Sequence, residues 1–126
     1  MSLPNQLHII VLMGGDSPER EISLATGKAV TEALSSAGHQ VEARVLAKVK
    51  DVLTMSDLTG CDVVFPALHG GAGEDGRLQS VLDLMGVTYA LSGPVASAMA
   101  MDKAASKRLM RGAGIATPDW LHISGD

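Results

Sequence analysis

The sequence predicts an α/β fold, a parallel sheet flanked by helices, followed by the first helix and strand of a second domain. Three observations carry this. Apolar runs of strand length end in glycine-rich turns at Gly14-Gly15 and His69-Gly70-Gly71-Ala72-Gly73. Stretches with helical spacing follow those turns. Strand, helix, strand, loop, helix, strand is the order that builds a parallel sheet with crossover helices.

The elements follow in order. Leu7 to Met13 is nearly continuous in apolar residues, as a strand buried on both faces reads. Ile22, Ala25, Ala29, Ala33 and Ala37, with Val30 and Leu34 alongside, mark a helix that Gly38 ends. Val41, Ala43 and Val45 alternate with polar residues, which predicts a more exposed strand. Asp51 to Leu58 has room for a short helix. Val63 to Leu68 is a second buried strand, and Leu78, Val81, Leu82 and Met85 mark the buried face of a helix closed by Gly86. Val87 to Leu91 gives one more strand. After Ser92-Gly93-Pro94 the texture turns to Ala, Met and Ser, and Asp102 stands as a cap before a helix over 103–112. Asp119 to Ile123 predicts a further strand. A domain boundary is placed near residue 100, giving units 1–100 and 101–126.

Composition excludes several function classes. With 46% hydrophobic and 19% charged residues the chain is too apolar for a disordered segment. A net charge of −4 gives nucleic acid no basic face to bind. The single cysteine, Cys61, has no partner for an internal disulfide and precedes an apolar run, so it is expected as a small buried residue. The first apolar run is too short for a membrane span and lacks the basic flank of a signal peptide. A cytoplasmic protein without membrane partners is expected.

Three places could carry chemistry. The segment Gly14-Gly15-Asp16-Ser17-Pro18-Glu19-Arg20-Glu21 stands at the carboxyl end of the first strand, where open α/β sheets bind ligands. It lacks the G-x-G-x-x-G of a dinucleotide site. A carboxylate in the first helical turn suits a cationic group, yet Asp16 with Glu19 three residues on is also the pattern of a capping box. His69, followed by four small residues and Glu74-Asp75, is either a ligand-reaching histidine or part of a turn into a helix. One histidine without a second His or a Cys falls short of a metal-ligand set. Lys103, at a helix start with Lys107 a turn later, opposes the helix dipole unless an anion such as a nucleotide phosphate is present; the alternative is a solvated lysine.

The wording of these segments resembles one family. G-G-D-S-P-E-R-E-I-S is similar to its G-G-x-S-x-E-R-x-V-S, and L-H-G-G-A-G-E-D-G-R-L-Q to its H-G-x-x-G-E-D-G-x-x-Q. A-S-A-M-A-M-D-K-A-A-S-K resembles A-S-A-x-x-M-D-K-x-x-x-K, and G-A-G-I-A-T-P-D-W the entry to the family's central domain. The family is that of the D-alanine–D-alanine ligases, within the ATP-grasp superfamily.

The resemblance implies a Rossmann-like (pre-ATP-grasp) domain and ATP-dependent joining of two D-alanines through an acyl phosphate, for peptidoglycan and cell shape. It implies ATP and Mg²⁺ as cofactors, the metal ligands lying outside this chain, and a homodimer. It assigns Glu19 to the ammonium of the first D-alanine and His69 to its carboxylate or acyl phosphate. Ile22 would contact the second D-alanine, and Lys103 the ATP phosphates. A related ligase using D-lactate or another D-amino acid would share these motifs; a noncatalytic binding or dimerisation module is the alternative from another class. Two departures stand out. Tyr89-Ala90-Leu91-Ser92-Gly93 replaces the usual Y-T-G-S-G, which puts the turn at Leu91 in question. The family's enzymes also continue well past residue 126, and Met1-Ser2-Leu3 resembles an expression leader, so a truncated chain, inactive alone, is expected.

Overall fold

The computed structural model describes residues 6–123; the Met1-Ser2-Leu3 segment lies outside the described residues. Three parallel strands, β1 (His8–Gly14), β2 (Gln40–Leu46) and β3 (Val63–Pro66), form a sheet in the order β2-β1-β3. The helices are α1 (Arg20–Ser36), α2 (Arg77–Leu84), α3 (Pro94–Met101) and α4 (Lys103–Gly112). None among the described residues is long and apolar enough to cross a membrane.

The central strand explains the architecture. Successive side chains of a strand point to opposite faces, and here both faces are covered. Ile9, Val11 and Met13 pack with Leu24, Val30 and Leu34 of α1. Ile10 and Leu12 pack with Val49, Val52, Leu58, Leu78 and Leu82 on the other side. The continuous apolar run of β1 is thus the run of a doubly covered strand. β2 lies at the edge, and its outer residue Val45 is 58% exposed.

α1 forms where its spacing predicts, but the stripe Ile22, Ala25, Ala29, Ala33 and Ala37 faces outward. The side toward the sheet holds Ser23, Gly27, Val30 and Leu34. Helix and sheet approach too closely for more bulk: a Cβ on Gly27 would stand 2.6 Å from Cβ of Met13. Small residues let the Met13 side chain fill the gap.

Ser23, fully buried, ties two strand ends together. Its Oγ accepts from the Gly14 amide at 2.8 Å and donates to the Ala67 carbonyl at 2.6 Å. Ser23→Ala leaves two buried backbone groups unpaired, at about 1–3 kcal/mol each. Urea unfolding of the variant chain is expected to show a loss of about 2–4 kcal/mol; a loss under about 0.5 kcal/mol would contradict this linkage.

Other elements differ from the sequence reading. The segment Asp51 to Leu58 forms two 3-10 turns, Val49–Thr54 and Ser56–Gly60, instead of one helix. Val63 to Leu68 is strand only to Pro66. Val87 to Leu91 is reduced to a single bridge, Val64 to Tyr89, because Leu91 turns into left-handed backbone at φ 82 and breaks the extended run. A non-glycine residue there costs about 1–2 kcal/mol. α3 was not foreseen, although Pro94 right after Gly93 suits a first helical position. Asp119 to Ile123 forms no strand, since no strand lies beside it among the described residues. Trp120 instead packs under Arg111 and Lys107, whose charged groups stand 4.4 and 5.4 Å from the ring centre. Cys61 is half-buried, not buried. Its Sγ donates to the Leu58 carbonyl at 3.2 Å, and partial desolvation pushes the thiol above its usual range.

Candidate active site at the strand ends

The carboxyl ends of β1 and β3 bring the first two motifs together. In the turn after β1, most polar residues are occupied in holding the turn. Arg20 donates through Nη1 to the carbonyls of Gly15 and Leu46, both at 2.7 Å, which ties the turn to the end of β2. Asp16 accepts from the Val49 amide at 3.2 Å. Ser17 Oγ donates to the His69 carbonyl at 2.5 Å and accepts from the Glu19 amide at 3.1 Å.

The capping box suggested by Asp16 and Glu19 does not form. Glu19 occupies the N-cap position of α1 with no side-chain capping bond. Its carbonyl accepts from the Ser23 amide at 3.0 Å, so its backbone starts the helix. Among the described residues no hydrogen bond or ion pair engages its carboxylate. Glu19 is therefore an exposed anion at a helix start, held by its backbone alone.

His69 is oriented at both ring nitrogens. Nδ1 lies 3.2 Å from Glu74 Oε1, and Nε2 lies 3.0 Å from Thr26 Oγ1 on α1. With a proton on Nδ1 donated to the carboxylate, Nε2 accepts from the threonine hydroxyl. The second oxygen of Glu74 accepts from the Gly70 amide at 2.8 Å, so this carboxylate fixes both the loop and the ring. Glu74, Thr26 and Ser17 were not singled out in the sequence; the Glu-Asp pair after the glycine loop was read only as a helix start.

Glu19, His69 and Glu74 each place a ligand atom within 4.8 Å of the others. The folded chain thus gives the lone histidine two acidic neighbours. Its ring already pairs with Glu74 and Thr26, and a Mg²⁺ ion prefers oxygen donors, so the cluster is a poor fit to magnesium.

Beside His69 opens a cavity of about 390 Å³, lined by Thr26, Leu68, Glu74, Gln79, Leu91 and Ser97 among others. Gln79 is 4% exposed; its Nε2 donates to the Gly73 carbonyl at 3.1 Å while its buried Oε1 has no partner among the described residues. Ile22 is 60% exposed and does not line this cavity. Lys103 stands on a neighbouring groove with Ser106, Lys107 and Thr117, which shares Ala100 with the cavity. Asp102 caps its helix, accepting from the Ala105 amide at 2.9 Å, and this contact holds the carboxyl below its usual range. Lys107 is engaged: its Nζ donates to Thr117 Oγ1 and the Pro118 carbonyl.

Comparison with known proteins gives this arrangement a context. The family model described as D-ala D-ala ligase N-terminus matches residues 40–92. A D-alanine–D-alanine ligase of a Synechococcus strain is 50% identical over 117 residues, covering 90% of this chain and 35% of that protein. One from Aquifex aeolicus is 46% identical over 114 residues, covering 90% and 38%. The crystal structure of the Bacillus anthracis D-alanine–D-alanine ligase complexed with ATP superposes with a TM-score of 0.80 at 35% identity, over 91% of this chain and 39% of that one. The chain spans little more than a third of the length of these relatives. Sequence and fold agree across nine-tenths of its own length, and the chain matches the N-terminal region of the D-alanine–D-alanine ligases.

Proposed function

We propose that this chain supplies the first amino-acid site of an ATP-dependent ligase that joins two D-alanines for peptidoglycan. The observation that carries this reading is the juxtaposition of an uncommitted carboxylate, Glu19, with an oriented imidazole, His69, within 4.8 Å, His69 itself lining a small cavity. An α-amino acid has an ammonium and a carboxylate on one carbon. Glu19 matches the first by charge, and His69 lies near enough to serve the second.

In this reading the γ-phosphoryl group of ATP passes to the carboxylate of the first D-alanine. The amine of the second attacks the acyl carbon, the C–O bond to phosphate breaks, and the peptide bond forms. Glu19 holds the ammonium, and His69, kept in place by Glu74 and Thr26, steadies the carboxylate as its charge is transferred. Ile22 would meet the second D-alanine. Lys103, exposed at the start of α4 with no partner among the described residues, has the charge and position to meet an ATP phosphate. Mg²⁺, when bound, supplies charge neutralisation at the phosphates, through ligands outside this chain.

We place the boundary between the substrate-binding unit and the start of the central ATP-grasp domain near residue 100. The family match ends at residue 92, and the helices break at Asp102, which closes α3 and caps α4. A cytoplasmic homodimer completes the proposal; the outward apolar residues Ala25, Ala29 and Ala33 of α1 offer one surface for self-association.

The test is phosphate release with ATP, Mg²⁺ and D-alanine. The full-length protein is expected to show D-alanine-dependent release and to form the dipeptide. The isolated 126-residue chain is expected to show none, because it holds only one side of the proposed site. Full-length protein that ignores both ATP and D-alanine would identify a binding module instead, and a preference for D-lactate as acceptor would identify the related ligase.

A further inference from the structure

Leu91 is the one non-glycine residue with left-handed backbone among the described residues, at φ 82. The fold gains little packing from it: the side chain is 65% exposed and belongs to neither core cluster. Its backbone is nonetheless fixed from both sides. The Ala90 amide donates to the Val64 carbonyl at 2.9 Å, and the Ser92 carbonyl accepts from Ser97 Oγ at 3.3 Å. Glycine would take this conformation freely, and the related pattern has glycine here. The strained turn places Leu91 on the lining of the cavity that holds His69 and Glu74. Strain kept at a ligand cavity without return in packing points to a use in function.

We propose that Leu91 is a specificity-determining residue: it narrows the cavity beside His69 so that the first substrate's side chain must be as short as a methyl group. The proposal rests on reading the cavity as the first D-alanine site. A lining residue of this kind acts through the room it removes, and one methylene in an apolar pocket changes selectivity about 10–200-fold.

The test uses the full-length enzyme with ATP, Mg²⁺ and an equimolar mixture of D-alanine and D-2-aminobutyrate. The residue that supplies the carboxylate becomes the amino-terminal one, so mass spectrometry of the mixed dipeptides reports on the first site alone. Leu91→Gly is expected to raise D-2-aminobutyrate at the amino-terminal position about tenfold. Leu91→Asn, which tolerates the same backbone and keeps most of the bulk, is expected to hold the wild-type preference. Melting temperatures of both variants should stay level or rise by about 2–4 °C. A raised melting temperature in Leu91→Gly with unchanged amino-terminal preference would overturn the proposal while leaving the D-alanine reading intact. Wild-type enzyme inert toward D-alanine would overturn the site reading and this proposal with it.

Discussion

Glu19→Gln in the full-length enzyme is expected to lower kcat/KM for D-alanine about a hundredfold while leaving thermal stability within a degree or two. The two halves of this expectation come from different atoms of one residue. The backbone of Glu19 starts α1, with its carbonyl accepting from Ser23 and its amide donating to Ser17, and glutamine preserves both contacts. The side chain makes no capping bond. A hydrogen bond to a charged group contributes about 1.5–3 kcal/mol, which is one to two decades in affinity or in kcat/KM. Steady-state kinetics with D-alanine as the varied substrate, beside a melting curve, separates the outcomes. A loss of several degrees with unaltered kinetics would return Glu19 to a structural role.

The motif around Glu19 shows how far the sequence could be read. The apolar run of β1 and its glycine turn were legible because a doubly covered strand leaves a continuous signature, and strand ends are where such folds bind ligands. Which polar residues of the turn are free was not legible. Asp16, Glu19 and Arg20 are near neighbours in sequence, yet only the folded chain shows Arg20 clamping β2, Asp16 holding Val49, and Glu19 left open. The partners, Leu46 and Val49, are about thirty positions away, and no local pattern encodes them. The same holds for His69. Its neighbour Glu74 stood in the same motif, but Thr26, which positions the other nitrogen, arrives from α1.

Periodicity misled where bulk was the wrong measure of burial. The alanine stripe of α1 signals a helix and faces outward, while the inward face is lined by Ser23 and Gly27 because helix and strand nearly touch there. The strand expected over Val87 to Leu91 failed for a related reason. Its residues suit an extended chain, but the turn at Leu91 that shapes the cavity allows only the bridge at Tyr89.

Gly76→Ala is expected to be the most damaging single methyl addition in this fold, costing about 2–5 kcal/mol and activity with it. Gly76 caps α2 from left-handed backbone at φ 93. A side chain there carries about 1–2 kcal/mol of conformational strain, and overpacking adds about 1–3 kcal/mol more. The clash is severe: a Cβ would stand 2.4 Å from the Pro94 carbonyl oxygen, a backbone atom that cannot rotate away. Relief requires α3 to move off α2, and α3 carries Ala96, Ser97 and Ala100 of the cavity wall. Stability and D-alanine turnover are therefore expected to fall together. Gly86→Ala is the control, because its backbone is also left-handed, at φ 68, but apart from its chain neighbours none of the described residues comes within 4 Å of the added carbon. It should cost only the strain, about 1–2 kcal/mol, and leave turnover unchanged. Equal losses in the two variants, read from urea unfolding, would mean that the contact between the start of α2 and Pro94 does not hold the cavity together.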